Sequence, residues 1–274
     1  MKICHALTFI LTLFYHAPVG AHEFWLEPQK FSAPQGTDIA INLKVGMEFQ
    51  GISQIYLPQN IKRSEIIVGG HSPEKDKVIK LSGRLGDVPA MRLSQPPSGL
   101  LIAAHETNSF DTKYETSEKF YAFLREKGLE PFINEHRKRG LPDQSFYELY
   151  SRHAKSFVVR GKPEGQDVKL GMLVEIFSPK NPFVQDMSEE LPLIMLYRNE
   201  PLPHHQVHIR EKDEAGRVTL STIFTDDTGT LKLKPRDNMT YLVDFVVLEP
   251  VDPQTNKKGA GWISRWASLT FKLP

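Results

Sequence analysis

The stretch Asp38-Ile39-Ala40-Ile41-Asn42-Leu43-Lys44-Val45 decides the fold class, because apolar and polar residues alternate through it. Successive side chains of a β-strand point to opposite faces, so this alternation predicts a strand with one buried face. Turn-forming residues stand on either side, as Pro34-Gln35-Gly36 before the strand and Gly51 after it. Short strands separated by turns predict an antiparallel β-sandwich.

The same rhythm of strands and turns continues in the last third of the chain. Polar, glycine-containing turns separate five predicted strands, at residues 206–211, 217–224, 230–234, 240–248 and 266–273. A proline-rich segment, 178–192, is the best candidate for a linker. The sequence therefore predicts a mainly β protein with two antiparallel β-sandwich domains of Ig-like or transthyretin-like type, at 22–185 and 186–274.

Residues 116–158 predict a helical insertion in the first domain. Phe120, Phe123 and Leu124 form a helical stripe that Gly128 can end, and a basic helix can follow over 132–139. A third helix is predicted by the capping-box pattern of Ser145 and Glu148. Its apolar face would contain Phe146, Tyr150, His153, Ala154 and Phe157.

The first 21 residues have the pattern of a cleavable secretory signal peptide. Lys2 precedes the apolar stretch 6–15, and the small residues Val19 and Ala21 stand before the expected cut. Ten apolar residues are too few to span a bilayer, which needs about 20. We expect a periplasmic protein of a Gram-negative bacterium that begins at His22, with no membrane span after cleavage. The one cysteine, Cys4, would be removed, so no disulfide is expected.

Charge and motif content exclude several classes of function. The signal segment holds one of the 34 basic residues and none of the 33 acidic ones, which leaves 33 of each in the remaining chain. Without a basic excess, nucleic acid is a poor partner. The sequence has no G-x-S-x-G elbow, no H-E-x-x-H, no P-loop and no cysteine nucleophile after the signal, so we expect no enzyme.

His22 is the first candidate metal ligand. Cleavage after Ala21 would give it a free α-amine beside its imidazole, a compact chelate of two nitrogen atoms. The amine has an ordinary pKa of about 7.7–8.0, so a metal can displace its proton near neutral pH. Nitrogen ligands of this kind favour copper among the divalent first-row ions. The alternative is that His22 is merely the residue at which the signal ends.

A second imidazole would complete a histidine brace, and four histidines are candidates for it. His105 follows an apolar strand and could point at a site beside the helices. His153 lies on the predicted apolar helix face, where a core role is the alternative. His204 and His208 would share one face of a strand and could form a separate weak site, or simply a polar surface.

Four segments together resemble a family of exported bacterial proteins identified as the periplasmic component of a nickel or cobalt uptake system. They are residues 22–28 (HEFWLEP), 118–129 (EKFYAFLREKGL), 150–156 (YSRHAKS) and 266–271 (WASLTF). The resemblance implies nickel or cobalt as the ligand and a membrane transporter or other envelope protein as the partner. Separately, 199–203 (NEPLP) followed by 225–229 (TDDTG) resembles transthyretin-like and carboxypeptidase-regulatory-like modules.

These observations lead to three hypotheses about function. The first is a periplasmic protein that binds nickel, cobalt or copper for uptake or delivery, with His22 as a ligand. The second is an envelope module without metal that holds a glycan, a peptide or a partner protein, with Trp25, Trp262 and Trp266 as a stacking surface or as core. The third is a histidine-brace copper oxidase that acts on polysaccharide.

Overall fold

A computed structural model describes residues 22–70, 78–184 and 189–274, and the predicted signal peptide lies outside these residues. The protein is mainly β, as predicted, with strands arranged in three sheets and two short helices. The elements are β1 (Glu23–Pro28), β2 (Ser32–Ala33), β3 (Ile39–Met47), β4 (Gln50–Gln54), β5 (Ile61–Val68), β6 (Val78–Lys80), β7 (Met91–Leu93), β8 (Gly99–Thr107), β9 (Phe110–Thr116), α1 (Ser117–Glu126), α2 (Pro131–Lys138), β10 (Gln144–Arg160), β11 (Val174–Phe177), β12 (Leu191–Tyr197), β13 (Glu200–Pro201), β14 (Gln206–Lys212), β15 (Val218–Phe224), β16 (Thr230–Leu233), β17 (Thr240–Pro250) and β18 (Trp262–Lys272).

The largest of the three sheets has ten strands and lies at the centre of the protein. Its main order is β15-β14-β17-β18-β10-β8-β5-β6, with β2 and β9 also paired to β10. Neighbouring strands are antiparallel, except that β10 runs parallel to β18 and to β2. The N-terminal sheet contains β1, β3, β4 and β7, and the C-terminal sheet contains β11, β12, β13 and β16.

The two smaller sheets cover opposite faces of the central sheet. The alternation of β3 is confirmed, because Ile39, Ile41 and Leu43 are buried and pack with Ala154 and Val158 of β10. On the other face, strands of the C-terminal sheet pack against Phe157 and other side chains of β10, β17 and β18. The result is a pair of sandwiches that share the central sheet. This sheet contains strands from both sides of the predicted boundary at 185, and the division into domains stays a prediction.

The first predicted helix is confirmed as α1, whose stripe of Phe120, Phe123 and Leu124 is buried against β18 and β10. Gly128 follows with a φ of 69°, in the left-handed region that glycine favours. The amide of Leu129 then donates to the carbonyl of Leu124 at 2.7 Å, which closes the helix end. The second predicted helix is α2, and neither helix is long or apolar enough to cross a membrane; the described residues contain no other α-helix.

The third predicted helix, and with it the extent of the helical insertion to 158, is wrong. Residues 144–160 form the 17-residue strand β10, and Ser145 and Glu148 make no capping box. The strand pairs with β9 and β8 on one side and with β18 on the other. Apolar residues that recur at intervals of three and four positions fit a helix, but the long-range hydrogen bonds of the sheet override that local preference.

Candidate functional site

One face of β10 lines an open cavity beside the start of β1. Because strand side chains alternate, Glu148, Tyr150 and Arg152 point the same way. With Trp266 of β18 and Lys119 of α1 they help to line a cavity of about 320 Å³. His22 and Lys113 also line it, so most of its polar groups are cationic or titratable. We name it the polar cavity.

A second cavity, of about 260 Å³, adjoins the first and is mostly apolar. Both contain Val45, Tyr150 and Arg152 in their walls. We name it the apolar cavity, and its other apolar walls come from the N-terminal sheet, the loop after it, the start of β5 and β9, namely Phe24, Leu43, Ile55, Leu57, Ile61 and Phe110. Two spaces of contrasting polarity therefore meet at one arginine.

The guanidinium of Arg152 lies between aromatic rings. Its central carbon is 4.2 Å from the ring centroid of Trp266 and 5.2 Å from that of Tyr150. Nη1 is buried and has no hydrogen-bond partner among the described residues, none of which forms an ion pair with Arg152. Burial lowers the pKa of Arg152 to about 10, which still leaves it charged at neutral pH. The rings provide cation–π attraction but no hydrogen-bond acceptor.

Glu148 lies on the same face of β10 and is the acidic residue of the polar cavity. It is buried, and the hydroxyl of Tyr114 donates to its Oε2 at 2.8 Å. Burial raises the pKa of Glu148 to about 7, while hydrogen bonds from neighbouring hydroxyls lower it less strongly. Near neutral pH Glu148 is therefore partly protonated, and its ionised fraction attracts Arg152 without forming an ion pair.

A buried charge cluster joins this site to β1. Arg210 donates through Nη2 to Glu23 at 2.7 Å and through Nη1 to Asp244. Lys127 extends the cluster, with Nζ 3.7 Å from Asp244 and 5.3 Å from the ring centroid of Trp266. Burial raises the pKa of Glu23 to about 7, although the nearby Arg210 acts to lower it. The first strand is thus tied to β14 and β17 by charges.

Among the predicted metal ligands, His22 is exposed and lines the polar cavity. His105 is buried at the wall of the apolar cavity, with its ring centroid 5.7 Å from that of Phe24. Burial lowers the pKa of His105 to about 4, so it is neutral at physiological pH. His22 and His105 therefore line different cavities.

The other three predicted ligands have partners of their own. His153 is on β10, not on a helix, with Nδ1 3.2 Å from Oε2 of Glu106. His204 is exposed beside Asp227 at 3.1 Å, in the turn before β14. Nδ1 of His208 lies 3.3 Å from Nζ of Lys127, and that cation opposes binding of a metal ion. Within the described ranges, no three His, Cys, Asp or Glu residues are grouped so that they could hold a metal.

Sequence reasoning missed Arg152 because residues 145–158 were predicted as a helix. The alternation of side chains along a strand, which puts Arg152 on the same face as Glu148 and Tyr150, was therefore not considered. In a strand, residues 148, 150 and 152 share a face, and aromatic Phe146, Tyr147 and Tyr150 are typical of strands. The alternation and the aromatic content can be read from the sequence, but the long-range contact of Arg152 with Trp266 cannot.

Comparisons with known proteins place the chain in a family, and they assign it no function. A family model described as "Domain of unknown function (DUF4198)" matches residues 19–249. No curated protein matches the chain. Among solved structures, one titled "Crystal structure of tetra-tandem repeat in extending region of large adhesion protein" aligns with a TM-score of 0.21 at 10% identity. That alignment covers 92% of this chain, which spans 50% of the matched one.

Proposed function

We propose that this chain, which belongs to the DUF4198 family, is an exported binding protein for a small ligand that combines an anionic group with an apolar body. The proposal assigns binding without catalysis, and export rests on the predicted signal peptide. It is a specific form of the envelope binding module considered above.

The observation that carries the proposal is Arg152, whose Nη1 is buried and has no partner among the described residues. Buried polar groups are nearly always hydrogen-bonded, and a buried donor left without a partner costs about 1–3 kcal/mol. A carboxylate, sulfonate or phosphate would accept charge-assisted hydrogen bonds from the guanidinium and offset that cost.

The two cavities suggest how such a ligand would lie. Its apolar body would fill the space bounded by Phe24, Leu57 and Phe110, which resembles the largely apolar lining of ligand sites in general. Its anionic group would meet Arg152 where the two cavities join. Lys119 in the polar cavity favours negative charge there, while Lys113, which also lines the cavity, pairs with Glu115 at 2.9 Å.

A pair of fluorescent probes tests the role of the charge. Anilinonaphthalene sulfonate and N-phenylnaphthylamine have the same aromatic body, but only the first carries an anion. We expect wild-type protein to bind the sulfonate at least about tenfold more tightly than the neutral probe, which corresponds to about 1.4 kcal/mol.

In Arg152→Gln this preference should disappear, while the neutral probe still binds. Arg84→Gln is a matched control, because Arg84 is highly exposed and its one ion pair with a described residue is to nearby Asp87. The control should keep the wild-type preference. Equal sulfonate affinity in wild type and Arg152→Gln would contradict the proposal.

Transition-metal binding at His22 is a second candidate, with nickel, cobalt or copper as the ion. It is favoured by the exposure of His22 at the rim of the polar cavity, where a new amine and the imidazole could reach a metal. A histidine brace would need a second imidazole, and the other candidate histidines lie outside the lining of that cavity.

Titration with Cu²⁺, Ni²⁺ and Co²⁺ tests this second candidate. Protein that begins at His22 should bind one of these ions more tightly than a variant with one alanine added before His22. Mass spectrometry would verify both termini. Equal affinities would remove His22 from the site, and the anion proposal would be unaffected.

A further inference from the structure

The strand β15 forms an edge of the central sheet that lacks the usual protection. Within the described part of the chain it pairs with β14 alone, so its outer side presents free backbone donors and acceptors. Proteins commonly protect such edges with charges, prolines or bulges. The seven residues Val218–Phe224 contain no charge and no proline, and they pair with β14 without a register shift.

The side chains of β15 are unusually apolar for an exposed strand. Leu220 is 50% exposed and Phe224 is 60% exposed, and both lie on the same face because their numbers differ by four. Ile223 on the opposite face is 37% exposed. Backbone groups and apolar side chains are thus both available along one edge.

The sequence of this edge complements itself. An antiparallel copy related by a two-fold axis at Ser221 would place Val218 opposite Phe224 and Leu220 opposite Thr222. Directly opposite side chains contact each other, so this register gives an apolar stripe on one face. Exposed Arg217 at one end of the strand would then approach Asp226 and Asp227 at the other end of the second copy.

We propose that β15 is a self-association edge, through which two copies of this chain join their central sheets about a two-fold axis at Ser221. Two-fold contacts of this isologous kind are the commonest in oligomers of one chain. A single strand gives a smaller interface than a standard one, so we expect a reversible dimer that depends on concentration. This proposal is independent of the ligand site.

Sedimentation equilibrium of the full chain measures the association. We expect a monomer–dimer equilibrium whose dissociation constant increases at least about tenfold in Leu220→Lys. Leu85→Lys is the matched control, because Leu85 is 71% exposed and lies in a turn outside the strands, far from β15 in sequence. A chain that stays monomeric at all concentrations, or equal effects of both substitutions, would overturn the proposal.

Single cysteines in a Cys4→Ser background test the axis itself. Ser221→Cys would face its own copy, where opposite Cβ atoms lie about 4.5–5.5 Å apart. Thr222→Cys on the same strand would lie on a diagonal of about 7–8 Å from its copy, beyond the reach of an ordinary disulfide. Under mild oxidation we expect Ser221→Cys to form covalent dimers much faster. Equal rates for the two variants would show that the copies do not meet in this register.

Discussion

Arg152 and Lys155 are cations on the same strand, and their surroundings differ completely. Lys155 is 1% exposed, and its Nζ donates to Asp167 at 2.8 Å and to Glu175 at 3.0 Å. Arg152 lies between two rings, and its buried Nη1 has no partner among the described residues. Lys155 is therefore fully paired within the protein, whereas Arg152 keeps a buried donor without an acceptor among the described residues.

The alternation of β10 explains how two such environments lie so close together. Residues 152 and 155 point to opposite faces of the strand. Lys155 faces the C-terminal sheet, where Glu175 of β11 and the preceding loop residue Asp167 complete a closed cluster. Arg152 faces the side of the N-terminal sheet, where two cavities remain open. The partners of Lys155 lie within the fold, whereas Arg152 beside the two cavities supports the ligand proposed above.

Removal of the Lys155 ammonium should have the largest effect on stability. Lys155→Met leaves two buried carboxylates without their cation, and loss of one partner of a buried ion pair costs about 3–5 kcal/mol. Chemical denaturation would measure the change in the free energy of unfolding. Lys180→Met is the control, because the ion pair of Lys180 with Glu189 is exposed and worth at most about 1 kcal/mol. Similar losses in both variants would contradict the structural role of Lys155.

The fold was largely predictable from local patterns, because many of its strands alternate and are bounded by turns. Predicted strands at 206–211 and 217–224 correspond to β14 and β15, and the helical stripe ending at Gly128 corresponds to α1. The prediction failed at β10, whose polar residues lie on both faces. His153 and Lys155 are buried there by long-range partners, Glu106 and Asp167, that no local window contains.

The candidate site was less predictable for the same reason. His22 was identified from the expected cleavage, and the structure places it at the polar cavity. Arg152 gains its significance from Trp266, which pairs with it in the parallel register of β10 and β18. That register depends on the whole sheet, and residue types alone do not determine it.

Glu23 is intermediate between the paired Lys155 and the unpaired Arg152. It is paired with Arg210, but burial still makes its ionisation costly. Its pKa is about 7 in the folded protein and 4.5 as the ordinary value, so the folded state binds this proton more tightly. The contribution of Glu23 to stability is therefore present below pH 4.5 and is lost as the pH rises to about 7. The loss amounts to at most about 3 kcal/mol.

Glu23→Gln should therefore flatten the decrease of the free energy of unfolding between pH 4.5 and 7. Urea denaturation at several pH values would compare wild type with the variant, and the difference between the two curves isolates Glu23 from other groups that titrate in this range. Parallel curves would mean that Arg210 pairs with Glu23 as completely as Asp167 and Glu175 pair with Lys155.

The smallest effect on stability is expected at Arg152, although its effect on binding should be the largest. Arg152→Gln removes a cation that forms no ion pair among the described residues, but it also removes the cation–π contacts with Trp266 and Tyr150. These two changes oppose each other, so the free energy of unfolding should change by no more than about 1 kcal/mol in either direction. The anionic probe should raise the Tm of wild type more than that of the variant, since the stabilisation by a ligand increases with its affinity for the folded protein. A loss of stability as large as that of Lys155→Met would show that Arg152, like Lys155, serves the fold.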